Sequence, residues 1–252
     1  MQVELKISLA RKQVADAMDA LGLGDSGDPG EPGAVGFFED ATVGADLPLF
    51  HAGVVLRVRG KTGKNVKSTV KFRPGRMSQF GERWLGQEVG VKFEQDWGLK
   101  RAVLASSLDG ETRRQMPSAN DVRAGGGGDT ATRVQPAAFF NQEQKRFLAQ
   151  CAPLAVNLSQ LTLVGPIPLT KWEDVAVGDG LAVVAERWTV NSDLDFLELS
   201  LKVDLQVAGA TRERFQEAVK AKGLEVEAGD ATKTELVLRF LAGQLRSGSW
   251  KA

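Results

Sequence analysis

A mainly β, α+β fold is predicted, a barrel or sandwich of antiparallel strands with helices packed on its outside. Three features of the sequence point there. Many segments alternate apolar and polar residues with a period of two, the signature of a strand buried on one face. Only four stretches carry the wider spacing of an amphipathic helix. The apolar stripes of those helices need a partner, which the apolar strand faces supply.

The first strand is expected over residues 2–9, where Val3, Leu5, Ile7 and Leu9 alternate with Gln2, Glu4, Lys6 and Ser8. A helix follows over 10–22, with Val14, Met18 and Leu21 on one stripe. GLGDSGDPGEPGAVG then reads as a breaker-rich loop. Gly22, Gly24 and Gly27 have dinucleotide-fingerprint spacing but follow a helix instead of a strand, so helix termination by glycine is the better account. Strands are expected at 37–40, 54–60, 67–73, 89–97 and 102–108. Residues 109–135 are poor in apolar side chains and include Gly125 to Gly128, which reads as an exposed insertion. A helix is expected over 140–150. The apolar run 161–172 is interrupted by Gly165, Pro166 and Pro168, as an edge strand or bulge would be. Strands at 181–190 and 195–205 lead to a helix over 212–222, capped by Thr211 and stopped by Gly223, and to a last helix from near Asp230 to Gly243.

The chain has 252 residues, with 32 basic and 32 acidic side chains. That balance gives no global pull toward nucleic acid or a membrane surface, so any anion site has to come from local clustering. Cys151 is the only cysteine and His51 the only histidine. An intramolecular disulfide is therefore impossible, and His-pair metal sites and His-dependent triads have little to draw on. Single-cysteine usage, an N-terminus that enters a strand pattern directly and the absence of a long apolar run fit a cytoplasmic location. His51, Cys151 and the five tryptophans are read as packing or surface residues.

The polar strand faces carry the functional signal. Glu198, Ser200, Lys202 and Asp204 share a face, as do Arg57 and Arg59, Lys67, Thr69 and Lys71, and Lys92, Glu94 and Asp96. Taken singly, each is the solvated face of a sheet. Taken together, they hold charges of both signs opposite apolar faces that helices can cover. If the sheet closes, those charges line its interior, where each uncompensated ion costs several kcal/mol, of the order of 3–5. A polyphosphate and a divalent cation satisfy both sets, with Lys and Arg on phosphate oxygens and carboxylates on the metal. Glu186 and Arg187 are adjacent, so only one can face inward, and the pattern leaves open which.

These residues resemble the CYTH domains, the triphosphate tunnel metalloenzymes. QVELK resembles the family's Glu-x-Glu-x-Lys strand, and FFED its aromatic-Asp-Thr segment. LRVRG and STVK resemble its Arg-x-Arg and Thr-x-Lys strands, KFEQDW an acidic strand, TKW a Thr-Arg strand, FLELSL the late Glu-x-Glu strand and ATKTELVL a late helix start. The resemblance spans nearly the whole chain outside 109–135, and so implies a single tunnel domain of eight antiparallel strands over 1–252. It implies Mg2+ or Mn2+ on Glu4, Glu94, Glu186 and Glu198. It implies phosphate contacts from Lys6, Arg57, Arg59, Lys71 and Lys171, with Glu4, Lys6 and Glu198 at the chemistry. The implied partner is a small triphosphate-containing molecule.

The sequence departs from that family at Gln2, Lys92 and Ser200, where acids are expected, and at Glu173, where an arginine is common. Neutral oxygens lower the charge of a ligand set and hence its hold on a hard cation. Three functions follow from the resemblance: a metal-dependent triphosphatase, a polyphosphate-binding module with impaired catalysis, and an adenylyl cyclase. The last would need a base-recognition site that no segment supplies. A solvated β-sandwich of unrelated function is the remaining alternative.

Overall fold

In the computed structural model, the described residues are 1–40, 47–61, 64–98, 101–117, 134–191, 194–227 and 232–247. Among them are nine strands: β1 (Gln2–Ser8), β2 (Glu31–Glu39), β3 (Val54–Gly60), β4 (Asn65–Phe72), β5 (Lys92–Trp97), β6 (Ala102–Gln115), β7 (Thr162–Gly178), β8 (Leu181–Asn191) and β9 (Leu194–Asp204). They hydrogen-bond in the order β1-β5-β6-β4-β3-β2-β7-β8-β9 and close into a barrel. The helices are α1 (Val14–Ala20), α2 (Pro48–His51), α3 (Glu82–Leu85), α4 (Gln142–Cys151), α5 (Ala208–Ala221) and α6 (Lys233–Ser247). The barrel has nine strands where eight were expected, and it is mixed: β1 and β5 run parallel.

Two compact units are distinguished by their internal contacts. The first comprises Met1–Gly33, Phe93–Leu104 and Pro168–Ala231; the second comprises Ala34–Lys92, Ala105–Ile167 and Thr232–Ala252.

In the first unit, β1 lies between β5 and β9, and β9 continues to β8 and β7. Its apolar side is Val3, Leu5, Ile7 and Leu9 of β1 and its extension, with Leu197 and Leu199 of β9. These pack with Val14, Ala17 and Met18 of α1 and Phe215, Ala218 and Val219 of α5 in one cluster. Each fully buried side chain of this size stabilises the fold by roughly 1.5–3 kcal/mol. Helix α1 ends in a turn where Gly22 has φ of 67° and the Leu23 N–H donates to the Met18 carbonyl. Gly223 closes α5 in the same way, with Leu224 N–H donating to Val219. Left-handed backbone at these two positions satisfies carbonyls that the helix leaves open.

The second unit holds the antiparallel series β2-β3-β4-β6. Its apolar side carries Leu56, Val58, Val70 and Phe72. Phe147 of α4 is fully buried and sits 4.9 Å from Phe72, 5.0 Å from Trp84 and 5.9 Å from Phe80, centroid to centroid. Beside these rings is one buried amide. Gln144 Nε2 donates to the carbonyls of Ser68 and Leu108, and Gln144 Oε1 accepts from the Ser68 hydroxyl and the Asn141 N–H. Asn141 in turn caps α4 by accepting from the Gln144 N–H. Every hydrogen-bonding group of this buried side chain is thus used.

Several boundaries differ from the sequence reading. β2 begins at Glu31, inside the Gly/Pro-rich run read as a loop. β6 continues to Gln115, through residues assigned to the insertion, while 118–133 lie outside the described residues. β7 runs unbroken through Pro166 and Pro168, and it lies between β2 and β8 instead of at an edge. Helix α5 starts at Ala208, which is buried in the core cluster, so Thr211 is inside the helix and does not cap it. At α6 the capping role falls to Thr232, whose hydroxyl accepts from the Glu235 N–H, and Asp230 lies outside the described residues.

Candidate functional site

The polar side of the first unit is set by strand register, since residues directly opposite one another share a face. Glu4 stands opposite Asp96 on β5 and Lys202 on β9, and Gln2 opposite Glu94 and Asp204. Lys6 is opposite Ser200. Ser8, Glu198, Glu186 and Lys171 form a row across β1, β9, β8 and β7. Glu186 therefore takes the polar face. Arg187 takes the other face, opposite Leu197, where it forms a bidentate pair with Asp195.

Within this face, one carboxylate oxygen each from Glu4, Glu94 and Asp96 lie within 4.8 Å of one another. Asp96 is 1% exposed, whereas Glu4 and Glu94 are half-buried. Two ammonium groups hold the cluster together. Lys6 Nζ is 2.7 Å from Glu4 and 3.5 Å from Asp96, and Lys202 pairs with Glu94. Burial alone would lower the pKa of Lys6; the charges of Glu4, Asp96 and Glu198 outweigh it and raise the pKa above its ordinary value. Lys6 is therefore a permanent cation here. Glu186 and Glu198 stand outside the group of three: Glu186 accepts from the Trp188 indole N–H, and Glu198 is near enough to Lys6 to act on its charge. Lys171 pairs with Glu173 on its own strand.

The polar side of the second unit is basic. Arg57, Arg59 and Lys71 are half-buried on one face of β3 and β4. Arg57 Nη2 donates to the Thr69 hydroxyl at 3.4 Å, and that hydroxyl donates to Asp109 at 2.8 Å. Lys92 Nζ donates to the other oxygen of Asp109 at 2.8 Å. Opposite these strands' polar residues, Leu56, Val58 and Val70 are buried as expected; Phe93 on β5, in the first unit, is only half-buried.

The structure thus brings Glu4, Lys6 and Glu94 together and adds Asp96 and Lys202, which sequence reasoning placed on the right faces but gave no role. The parity of KFEQDW was the available signal for Asp96; the parallel pairing that sets it beside Glu4 was not visible. Asp109 was missed because its strand was expected to end at 108 and the insertion to begin at 109. His51 is exposed at the end of α2, and burial raises the Cys151 thiol to a pKa of about 11, which leaves it protonated. No helix among the described residues is long and apolar enough to cross a membrane.

No protein-family model matches the chain, and no curated protein matches it. Two solved structures align with most of the chain. The "putative adenylate cyclase" of Bacillus halodurans superposes with a TM-score of 0.53 at 13% identity, covering 93% of this chain and 96% of that one. The PH1819 protein of Pyrococcus horikoshii OT3 aligns over 95% of this chain and 99% of its own, with a TM-score of 0.42 at 11% identity. The chain accordingly shares the barrel fold of the Bacillus halodurans protein, at an identity that establishes fold and nothing finer.

Proposed function

We propose that the protein is a metal-dependent triphosphatase of the CYTH type, acting on inorganic triphosphate or a small organic triphosphate. The observation that carries this reading is the grouping of Glu4, Glu94 and Asp96 around Lys6. Three carboxylates against two ammonium groups make a net negative set of oxygen donors, which suits a hard divalent cation such as Mg2+ or Mn2+. Bound there, such an ion would supply charge neutralisation and a more acidic water.

The remaining work falls to this chain's own side chains. Lys6 stays charged and is held at the carboxylates, so it can meet an incoming phosphate oxygen without first gaining a proton. Lys202 and Lys171 belong to the same polar face and can do likewise. The resemblance adds Arg57, Arg59 and Lys71, whose planar forks and ammonium group suit phosphate oxygens and charge developing on the leaving phosphate. Glu186 and Glu198 are proposed as further metal ligands, with Glu198 also at the chemistry, on the resemblance and on their shared row.

A second reading, a polyphosphate-binding module without turnover, is favoured by Gln2 and Ser200, which bring no charge to the first unit's polar face. The experiment is phosphate release from tripolyphosphate, thiamine triphosphate and ATP with Mg2+ or Mn2+. Metal-dependent release supports the triphosphatase; ligand-induced stabilisation without release supports the binding module. Cyclic AMP and pyrophosphate from ATP would move the assignment to a cyclase, the activity in the name of the structural neighbour. Absence of both binding and turnover with all three would overturn the proposal.

A further inference from the structure

The basic face of the second unit contains an anion of its own. Asp109 accepts from Lys92 on one oxygen and from Thr69 on the other, and Thr69 accepts from Arg57. Register places Asp109, Thr69 and Arg57 in one row across β6, β4 and β3. The three therefore share a face by construction, which brings their side chains within reach of one another.

Partial burial works to raise the pKa of Asp109, but hydrogen bonds from Lys92 and Thr69, with the charges of Lys92 and Arg57, prevail and lower it. The group is thus a carboxylate across the physiological range. It is also reachable: its side chain is 43% exposed and that of Lys92 57%. An ion pair this exposed is worth little and exchanges easily, unlike a buried pair that fixes a fold. An anionic side chain that spans a lysine, a hydroxyl and, through it, an arginine occupies donors that a phosphate group would use.

We propose that Asp109 is a tethered competitor for the phosphate ligand, a built-in anion that Lys92 and Thr69 release when a more highly charged guest arrives. This rests on the triphosphate reading above. A guest must out-compete a carboxylate held at close range, which disfavours orthophosphate and small carboxylates and favours a polyphosphate with several oxygens to offer. The Lys92–Asp109 pair also gives a role to Lys92, a basic residue where the resemblance led to an acid.

The test is calorimetric titration of tripolyphosphate, and separately orthophosphate, into wild type, Asp109→Asn, Asp109→Ser and Asp109→Glu. Asn keeps an oxygen for Thr69 and removes the charge. The expected result is tripolyphosphate binding about fivefold tighter in Asp109→Asn, the weight of one exposed ion pair, with steeper salt dependence because the face gains net positive charge. Asp109→Ser should follow it, and Asp109→Glu should return toward wild type. Unliganded melting checks that each variant is folded. If wild type binds tripolyphosphate and the uncharged variants bind it equally or more weakly, the competitor role is overturned while the triphosphate reading stands. If wild type binds no tripolyphosphate with or without Mn2+, both fall.

Discussion

On the polar side of the first unit, three carboxylates meet two lysines, and Asp96 is among the most buried charged groups of the described residues. On the polar side of the second, Arg57, Arg59 and Lys71 share a face, and Lys92 and Thr69 hold Asp109, a carboxylate that keeps substantial exposure. Both units bury their apolar sides under helices in the same manner. The difference lies in the sign of the charge left over. A formal net charge of zero conceals a carboxylate cluster on one face and a group of basic side chains on the other. Overall composition is therefore silent on such sites: local charge, set by strand register, governs what a face can bind.

Removing what the units have in common should have the largest effect. Phe147→Ala in the second unit and Phe215→Ala in the first each leave a ring-sized hole in a fully closed core and should cost about 3–5 kcal/mol in denaturant unfolding. A cost below 1 kcal/mol for either, measured against the other, would show that its helix is not a true lid on that sheet.

Next come variants that separate the two faces. Arg57→Ala with Arg59→Ala should abolish the rise in melting temperature caused by tripolyphosphate in EDTA, with the unliganded protein still folded. An unchanged rise would remove the second unit's face from the phosphate assignment. Glu4→Gln should do the opposite: tripolyphosphate binding in EDTA persists, while Mn2+ affinity falls by about tenfold or more, as expected for the loss of one anionic ligand. Equal Mn2+ titrations for wild type and Glu4→Gln would place the metal elsewhere.

A smaller difference should appear in acid. Because the pKa of Asp109 is lowered from its ordinary 3.8, its interactions stabilise the fold above that value and fade as pH falls through the folded-state pKa. The stability gap between wild type and Asp109→Asn should therefore be present at neutral pH and close below about pH 3.8, where both are uncharged in the unfolded chain. A gap that widens in acid would contradict the hydrogen-bonded carboxylate. Smallest of all, Gln2→Glu adds a carboxylate beside Glu94 at an exposed position, and should lower the Mn2+ needed for half-saturation by about twofold to threefold. Ser200→Glu should act in the same direction, and the two need not add if they serve one ion.

The legibility of the sequence followed local pattern. β3 was readable residue for residue because VVLRVRG alternates without interruption and ends at a glycine. β1, β8 and β9 were readable within a residue or two for the same reason. The first part of β2 and the far half of β6 were not, because GDPGEPG and DGETRRQ carry turn-forming or polar residues and owe their extended form to neighbouring strands. At the site, period-two alternation put Glu4, Lys6, Arg57, Arg59, Glu94 and Glu198 on polar faces. It could not reveal which strands meet. Asp96 reaches Glu4 only through the parallel β1–β5 pairing, and Lys202 reaches Glu94 across two strand contacts, separations that no local window spans.

The buried amide of Gln144 carries an evolutionary consequence. A methyl group added at Gly110 would come within 2.5 Å of Gln144 Oε1 and 2.8 Å of Asn141 Nδ2. The glycine exists to leave room for the glutamine, and the glutamine exists to answer Ser68 and two strand carbonyls. Drift at either position is therefore conditional on the other. Among descendants of this chain, a side chain larger than hydrogen at 110 should arrive only with a shorter residue at 144 and a changed hydroxyl at 68, so that the three positions are inherited as a set.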